Sequence, residues 1–182
     1  MPDADSRFAE LWDAHYDDVL AYAARRVDHE TARDVAAETF LVAWRRRDDL
    51  PADRPFPWLL HVARNTLANE ARGHRRRRLL WGRLRDDRGT HEPAADVAAG
   101  LAEGGRIGAA LRRLSARDRE ALQLVGWEEL DAKDAAVVAG CSAKTFSVRL
   151  HRARRRLAAV LAELDTDDQR LHPMTLQRSS QS

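Results

Sequence analysis

Between Asp131 and Arg156 a short apolar-periodic stretch, a tight Gly140-Cys141-Ser142 turn and a longer arginine-rich stretch follow one another. If both stretches are helical, the segment is a helix-turn-helix whose second helix leaves Lys144, Ser147, Arg149, His151 and Arg152 outward. Such a helix can hydrogen-bond in a duplex groove. Small or polar residues near its start approach base edges, and arginines further along hold phosphates and reach guanine acceptors. A bundle hairpin with a basic end fits the same pattern. Arginines cluster twice, at Arg75 to Arg78 and from Arg149 to Arg156, while the formal net charge is only +2. The distribution of charge, more than its total, therefore carries the signal. One basic run reads equally well as a solvated face; two, each ending a helical region, favour a polyanionic partner.

Other chemistries find little support. His15, His29, His61, His74, His91, His151 and His172 show no metal-ligand spacing with Cys141, and no Gly-rich phosphate loop is present. Carboxylates fall on outward helix faces instead of forming an isolated pair. No catalytic residue, metal, cofactor or small-molecule substrate is expected, and the reading is not an enzyme. Cys141, the single cysteine, has no internal disulfide partner and reads as a buried turn residue. No apolar stretch approaches the roughly 18 to 20 residues of a membrane span, and Met1 to Arg7 is polar and acidic. A reduced, cytoplasmic protein away from membranes is expected.

The elements that must position these residues are helical. With 44% hydrophobic but only 6% aromatic residues and an excess of Ala, Leu and Arg, the 182-residue chain favours helix over strand. The expected fold class is all-α, with two small helical domains joined by a flexible linker. Leu11, Trp12, Val19, Ala23 and Val27 define a first amphipathic helix ending near Asp28. A second carries Val35, Ala36, Phe40 and Ala43 inward and Asp34, Glu38 and Arg45 outward, until Pro51, Pro55 and Pro57 break the pattern. A third should start near Pro57 and run to about Arg72, where Gly73 interrupts or ends it; Arg75 to Leu84 can continue as a basic helix. Asp86 to Gly105 has linker composition. Beyond it, Ile107, Leu111 and Leu114 mark a short helix and Ser115 caps the next. Asp131 caps a third, stopped by Gly140, and Ser142 caps a long last helix through Phe146, Leu150, Leu157 and Leu161. The tail after Asp165 is expected to be disordered. The expected divisions are 1–85, a linker 86–105, 106–165 and a tail 166–182.

Asp118-Arg119-Glu120-Ala121-Leu122, then Gly140-Cys141-Ser142, then Arg149-Leu150-His151-Arg152-Ala153-Arg154 together resemble region four of the extracytoplasmic-function sigma factors. The resemblance implies a domain that reads the minus-thirty-five promoter element in the major groove. By motif position Ser147, Val148, His151 and Arg152 face bases, with Lys144, Arg149 and Arg155 nearer the backbone. The family often has Lys or Arg followed by Ser where this chain has Ser147-Val148, which points to a different preferred element.

The first half matches independently. Asp34-Val35-Ala36-Ala37-Glu38-Thr39-Phe40, with Trp44 beyond, resembles region two, whose outer helix face docks on the clamp helices of core RNA polymerase. Asp34, Glu38, Leu41 and Arg45 are the polymerase-binding candidates; taken alone they are an ordinary amphipathic helix. Pro57-Trp58-Leu59-Leu60-His61-Val62-Ala63-Arg64-Asn65 resembles the portion of region two that melts and reads the minus-ten element. This implies contacts from Trp58, His61, Asn65, Asn69, Arg72, Arg75 and Arg76, with His61 standing where the family often has Arg. An aromatic to stack, amides for base edges and arginines for the backbone are what single-strand recognition requires. Trp58 also fits a core position. The resemblance spans about Arg7 to Arg85 and Arg106 to Leu164, lacks regions one and three, and puts the acidic linker toward the polymerase active centre. It implies bacterial core polymerase (clamp helices and flap) and promoter DNA as partners, and allows an anti-sigma factor. Two other readings stay open on the residues alone: a stand-alone helix-turn-helix regulator, which leaves the second helix and Trp58 to Asn65 without a task, and a structural helical adaptor.

Overall fold

A computed structural model describes residues 4–84 and 105–171, so the linker and the chain beyond Leu171 lie outside the described residues. Seven α-helices make up the described fold, which contains no strand. The first half holds α1 (Ala4–Ala24), α2 (His29–Arg45), a single 3-10 turn (Arg47–Asp49) and α3 (Pro55–Leu84). The second holds α4 (Gly105–Arg112), α5 (Ala116–Gly126), α6 (Ala132–Ala139) and α7 (Ala143–Leu171).

In the first half α2 is the central element. Asp28 caps it, accepting from the Thr31 N–H at 3.0 Å and from the Thr31 hydroxyl at 2.8 Å. The backbone bond holds the Asp28 carboxyl below its ordinary value. Ala32, Val35, Ala36, Thr39, Phe40 and Ala43 recur at three and four residues and are all buried. Thr39 is tolerated there because its hydroxyl donates to the Val35 carbonyl at 2.7 Å. Phe40 meets Phe8, Trp12 and Tyr16 of α1. Trp12, expected inward, is instead 36% exposed at the rim of that cluster, stacked on Tyr16 at 4.5 Å.

Helix α3 differs from its expected course at both ends of the segment that Pro57 and Gly73 delimit in the sequence. It begins at Pro55, so Pro55 and Pro57 both occupy the first turn, where an N–H would have no intrahelical acceptor. It then runs unbroken through Gly73 to Leu84. A glycine costs about 1 kcal/mol in a helix interior, and the good helix formers around it carry that cost. The result is one 30-residue rod that presents the Trp58 segment and the arginines beyond it on a single element.

Local capping shapes the second half. Ser115 caps α5, and the Arg119 guanidinium donates to the Leu111, Arg112 and Leu114 carbonyls, closing the α4–α5 corner. Asp131 caps α6, accepting from the Lys133 and Asp134 N–H groups at 2.8 Å each. At its other end Gly140 has φ +64°, the Cys141 N–H reaches the Ala136 carbonyl at 3.0 Å and the Gly140 N–H reaches Val137 at 3.1 Å. That is the paired-bond helix stop which a left-handed residue permits. Ser142 then caps α7, and Phe146, Leu150 and Ala153 turn inward. Helix α7 continues past Asp165 to Leu171, so the expected disorder does not begin at residue 166.

The two halves do not stand apart. Helix α3 packs on α6, and buried side chains of both halves, from Val19 to Leu150, join one connected apolar cluster.

Candidate nucleic-acid interface

On α7, Lys144, Ser147, Val148, His151, Arg152 and Arg155 are all exposed, and Arg149 is half-buried. The helix projects this row because Phe146, Leu150 and Ala153 anchor its opposite side. Val148, at 46% exposure, is an apolar member suited to a thymine methyl. Arg156 is not part of the row: it pairs with the buried Asp118 carboxylate at 2.5 Å and ties α7 to α5. The helix-turn-helix is thus formed, with every candidate except Arg149 fully open to an approaching duplex.

A groove of about 600 Å³ runs between α2 and α3. Trp58, His61, Asn65 and Asn69 line its α3 wall, with Asp34 and Glu38 on the α2 wall and Arg46 just past the end of α2. Four of the seven minus-ten candidates are therefore brought together. The other three, Arg72, Arg75 and Arg76, are exposed further along the same helix and outside the groove. Trp58 meets neither simple expectation. It is half-buried, packing against the edge of the core while facing the groove, with the Arg46 guanidinium 5.9 Å from its ring centroid. Asn65 Nδ2 lies 3.0 Å from His61 Nε2, and His61 Nδ1 lies 3.2 Å from the Val138 carbonyl. A ring protonated on Nδ1 satisfies both bonds, donating to Val138 and accepting from Asn65.

On α2, Asp34, Glu38, Leu41 and Arg45 are exposed at spacings of four, three and four, which sets them on one face. Leu41 is 41% exposed, an apolar centre flanked by charge. Asp34 and Glu38 also belong to the groove, so this face and the groove share a wall.

One feature escaped the sequence reading: a row of ion pairs between the halves. Arg25 and Arg26 of the α1–α2 turn both engage Glu128, whose side chain is only 2% exposed, Arg26 at 3.2 Å. Arg64 forks onto Glu120, Nε to Oε1 at 2.5 Å and Nη2 to Oε2 at 3.1 Å. Arg54 meets Asp131, at 3.3 Å, and Asp134. The hydrogen bond to Glu120 raises the Arg64 pKa further, and burial beneath this network pushes the Tyr22 phenol up to about 12. Each pair joins residues more than 50 positions apart, and no local spacing signals such a contact.

An exposed basic helix in a helix-turn-helix and an aromatic-and-amide groove in the other helical half are together the features expected of a DNA-binding protein. Comparison with known proteins narrows the class. Residues 11–77 match the model of Sigma-70 region 2, and residues 104–157 that of Sigma-70, region 4. The chain is 34% identical over 154 residues to the RNA polymerase sigma factor CnrH of Cupriavidus metallidurans, covering 78% of this chain and 80% of that one. It is 34% identical over 160 residues to the ECF RNA polymerase sigma factor SigL of Mycobacterium tuberculosis, covering 85% and 88%. Among solved structures it is similar to the sigma factor RpoE in complex with the anti-sigma factor NepR from Bartonella quintana, with a TM-score of 0.62 at 26% identity, over 86% of this chain and 97% of that one. It is also similar to CnrH in complex with the cytosolic domain of CnrY, with a TM-score of 0.57 at 29% identity, over 86% and 88%. The chain belongs to the sigma-70 family, in its extracytoplasmic-function group. It is an RNA polymerase sigma factor, a transcription initiation factor that confers promoter recognition.

Proposed function

We propose that three surfaces divide this work. Asp34, Glu38, Leu41 and Arg45 on α2 dock on the clamp helices of core RNA polymerase, an apolar contact ringed by charge. Trp58, His61, Asn65 and Asn69 receive bases of the opened minus-ten strand in the groove, where the ring stacks and the amides meet base edges. The acidic α2 wall repels phosphate, so the strand backbone runs outside the groove along Arg72, Arg75 and Arg76. On α7, Ser147, Val148, His151 and Arg152 read the minus-thirty-five element, with Lys144, Arg149 and Arg155 on its phosphates. The convergence of Trp58, His61, Asn65 and Asn69 in one groove supports this reading most directly.

In this scheme 1–85 and 106–165 are the working units, 86–105 is the connection toward the polymerase active centre, and 166–182 is a tail outside both. The protein assists polymerase in the cytoplasm without catalysing a reaction of its own. The polymerase flap is a second contact, made by the unit that carries α7. RpoE of Bartonella quintana, similar in fold, has been solved with the anti-sigma factor NepR, and an anti-sigma protein is proposed as the negative regulator of this chain too. A gel shift on promoter DNA tests the scheme. Tight specific binding is expected only with core polymerase present, whereas tight operator binding by the protein alone overturns it in favour of a free-standing regulator.

A further inference from the structure

Two of the groove residues on α3, Asn65 and Asn69, are carboxamides. An amide offers an oxygen that accepts and a nitrogen that donates, so a neighbour that occupies one end decides what a base meets at the other. The two have different neighbours. Asn65 Nδ2 lies 3.0 Å from His61 Nε2, one turn back. A neutral imidazole can donate or accept at either nitrogen, so the chemistry of that pair alone does not fix its sense. Asn69 is held differently. Arg72, three residues on, donates from Nη2 to Asn69 Oδ1. A guanidinium has N–H donors and no acceptor, so this contact permits one sense only. Oδ1 turns to Arg72, and Nδ2, which has no partner among the described residues, is the end left for a base in the groove.

Asn69 and Arg72 are both exposed, and in water a pair three residues apart on a helix biases the amide only slightly. A base laid against Asn69 changes this by excluding water. The same bond is stronger at low local dielectric, and a flipped amide would set the N–H groups of Asn69 against those of Arg72. The sense of the amide is thus enforced when a base is read.

Bases differ at one exocyclic position. Guanine O6 and thymine O4 accept there, whereas adenine N6 and cytosine N4 donate. An outward Nδ2 bonds the first two. Against the others two donors meet, and both lose the water they had. The remaining N–H groups of Arg72 stay available to the strand backbone, so one guanidinium serves both tasks.

We infer that Arg72 is a positioning residue for base selection: it holds the Asn69 amide with Nδ2 toward the strand, and the base met there is guanine or thymine, which present a carbonyl oxygen. The inference rests on the groove assigned above as the minus-ten site.

The test uses holoenzyme, made from the full chain and core polymerase, on a promoter library randomised across the minus-ten element, with the templates in heparin-resistant complexes sequenced. Asn69→Ala identifies the position that Asn69 reads, as the one where the wild-type preference is lost. There the wild type should favour guanine or thymine over adenine or cytosine by about fivefold or more. Asn69→Asp has nearly the same shape and keeps the contact to Arg72, but presents only acceptors, so the preference at that position should invert. Asn65→Asp adds the same charge to the same groove and should leave guanine or thymine favoured there. Arg72→Leu should level the preference, and Arg72→Lys, also a donor without an acceptor, should restore it. Loss of a phosphate contact alone would instead lower every template by one factor and leave the ratio unchanged. If Asn69→Ala alters no preference, Asn69 is not a base contact, and the groove assignment fails together with the inference. If it does, the positioning role alone is overturned by a wild-type preference for adenine or cytosine, by an Asn69→Asp that does not invert, by an Asn65→Asp that also inverts, by an Arg72→Leu with the wild-type ratio, or by an Arg72→Lys without recovery.

Discussion

Replacing Trp58 with alanine removes the indole that faces the groove while leaving the core behind it in place. Leu59 and Leu60, both fully buried, carry the packing at this point of α3, whereas Trp58 lies at the edge of the cluster. Its contact with Arg46, at 5.9 Å, is near the limit of about 6 Å at which a cation over a ring contributes, and at a partly exposed site it is worth about 0.5 kcal/mol. Partial loss of apolar burial adds about 1 kcal/mol, so unfolding should shift downward by only about 2 to 4 °C per kcal/mol in a chain of this size. The functional loss should be larger. Stacking of a base on an aromatic is worth about 1 to 3 kcal/mol, and at about 1.4 kcal/mol per factor of ten this is roughly a 5- to 150-fold loss of opened promoter. Permanganate reactivity of minus-ten thymines in the holoenzyme complex measures that loss, with duplex binding followed separately. Trp58→Phe, which keeps a stacking face, should recover most of the opening. Permanganate reactivity equal to wild type in Trp58→Ala, or an equal loss in duplex binding, would refute the assignment.

Three further outcomes are expected. Arg152→Ala should weaken use of its preferred minus-thirty-five element by about 1 to 3 kcal/mol if the guanidinium pairs with a guanine, read as competition between related and unrelated duplexes; equal loss on all DNA makes it a phosphate contact. Gly140→Ala has room for the methyl, 3.6 Å from His61, but forces φ +64° on a residue with a Cβ, so unfolding should be easier by about 1 to 2 kcal/mol, checked by denaturant midpoint. Asp28 and Asp131 are both held below the ordinary carboxylate pKa by hydrogen bonds from backbone N–H groups at the helix starts. Their contribution is therefore full above the unfolded value of about 3.9 and is lost as pH falls through the lower folded values. Asp28→Asn/Asp131→Asn, which keeps capping oxygens without charge, should flatten the acid limb of a melting-temperature profile.

What could be read from residues and what could not divides along the range of the interaction. The caps Asp28, Ser115, Asp131 and Ser142 act on N–H groups two or three residues away, so type and spacing announce them. The buried stripes of α2 and α7 follow the 3.6-residue period of the same chain segment. Gly73 signals a boundary because glycine is a poor helix former, yet flanking context outweighs about 1 kcal/mol and α3 continues. Trp12 shows the same limit, since periodicity assigns it a face but not whether a neighbour covers it. Likeness to a family points to the groove residues, and spacings of three, four and four already set Trp58, His61, Asn65 and Asn69 on one face of α3; the packing of α2 beside it makes that face the wall of a groove. The pairs Arg25 and Arg26 with Glu128, and Arg64 with Glu120, join segments brought together by the packing of α3 on α6, and nothing in either segment alone marks them.

Run-off transcription tests the central claim most directly: purified core RNA polymerase, this protein and a library of fragments from the chromosome that encodes it. Discrete start sites should appear only when both proteins are present, preceded by shared sequence at two positions about 25 base pairs apart, as two modules reading one promoter require. Transcripts that are absent, or unchanged when the protein is omitted, would contradict it.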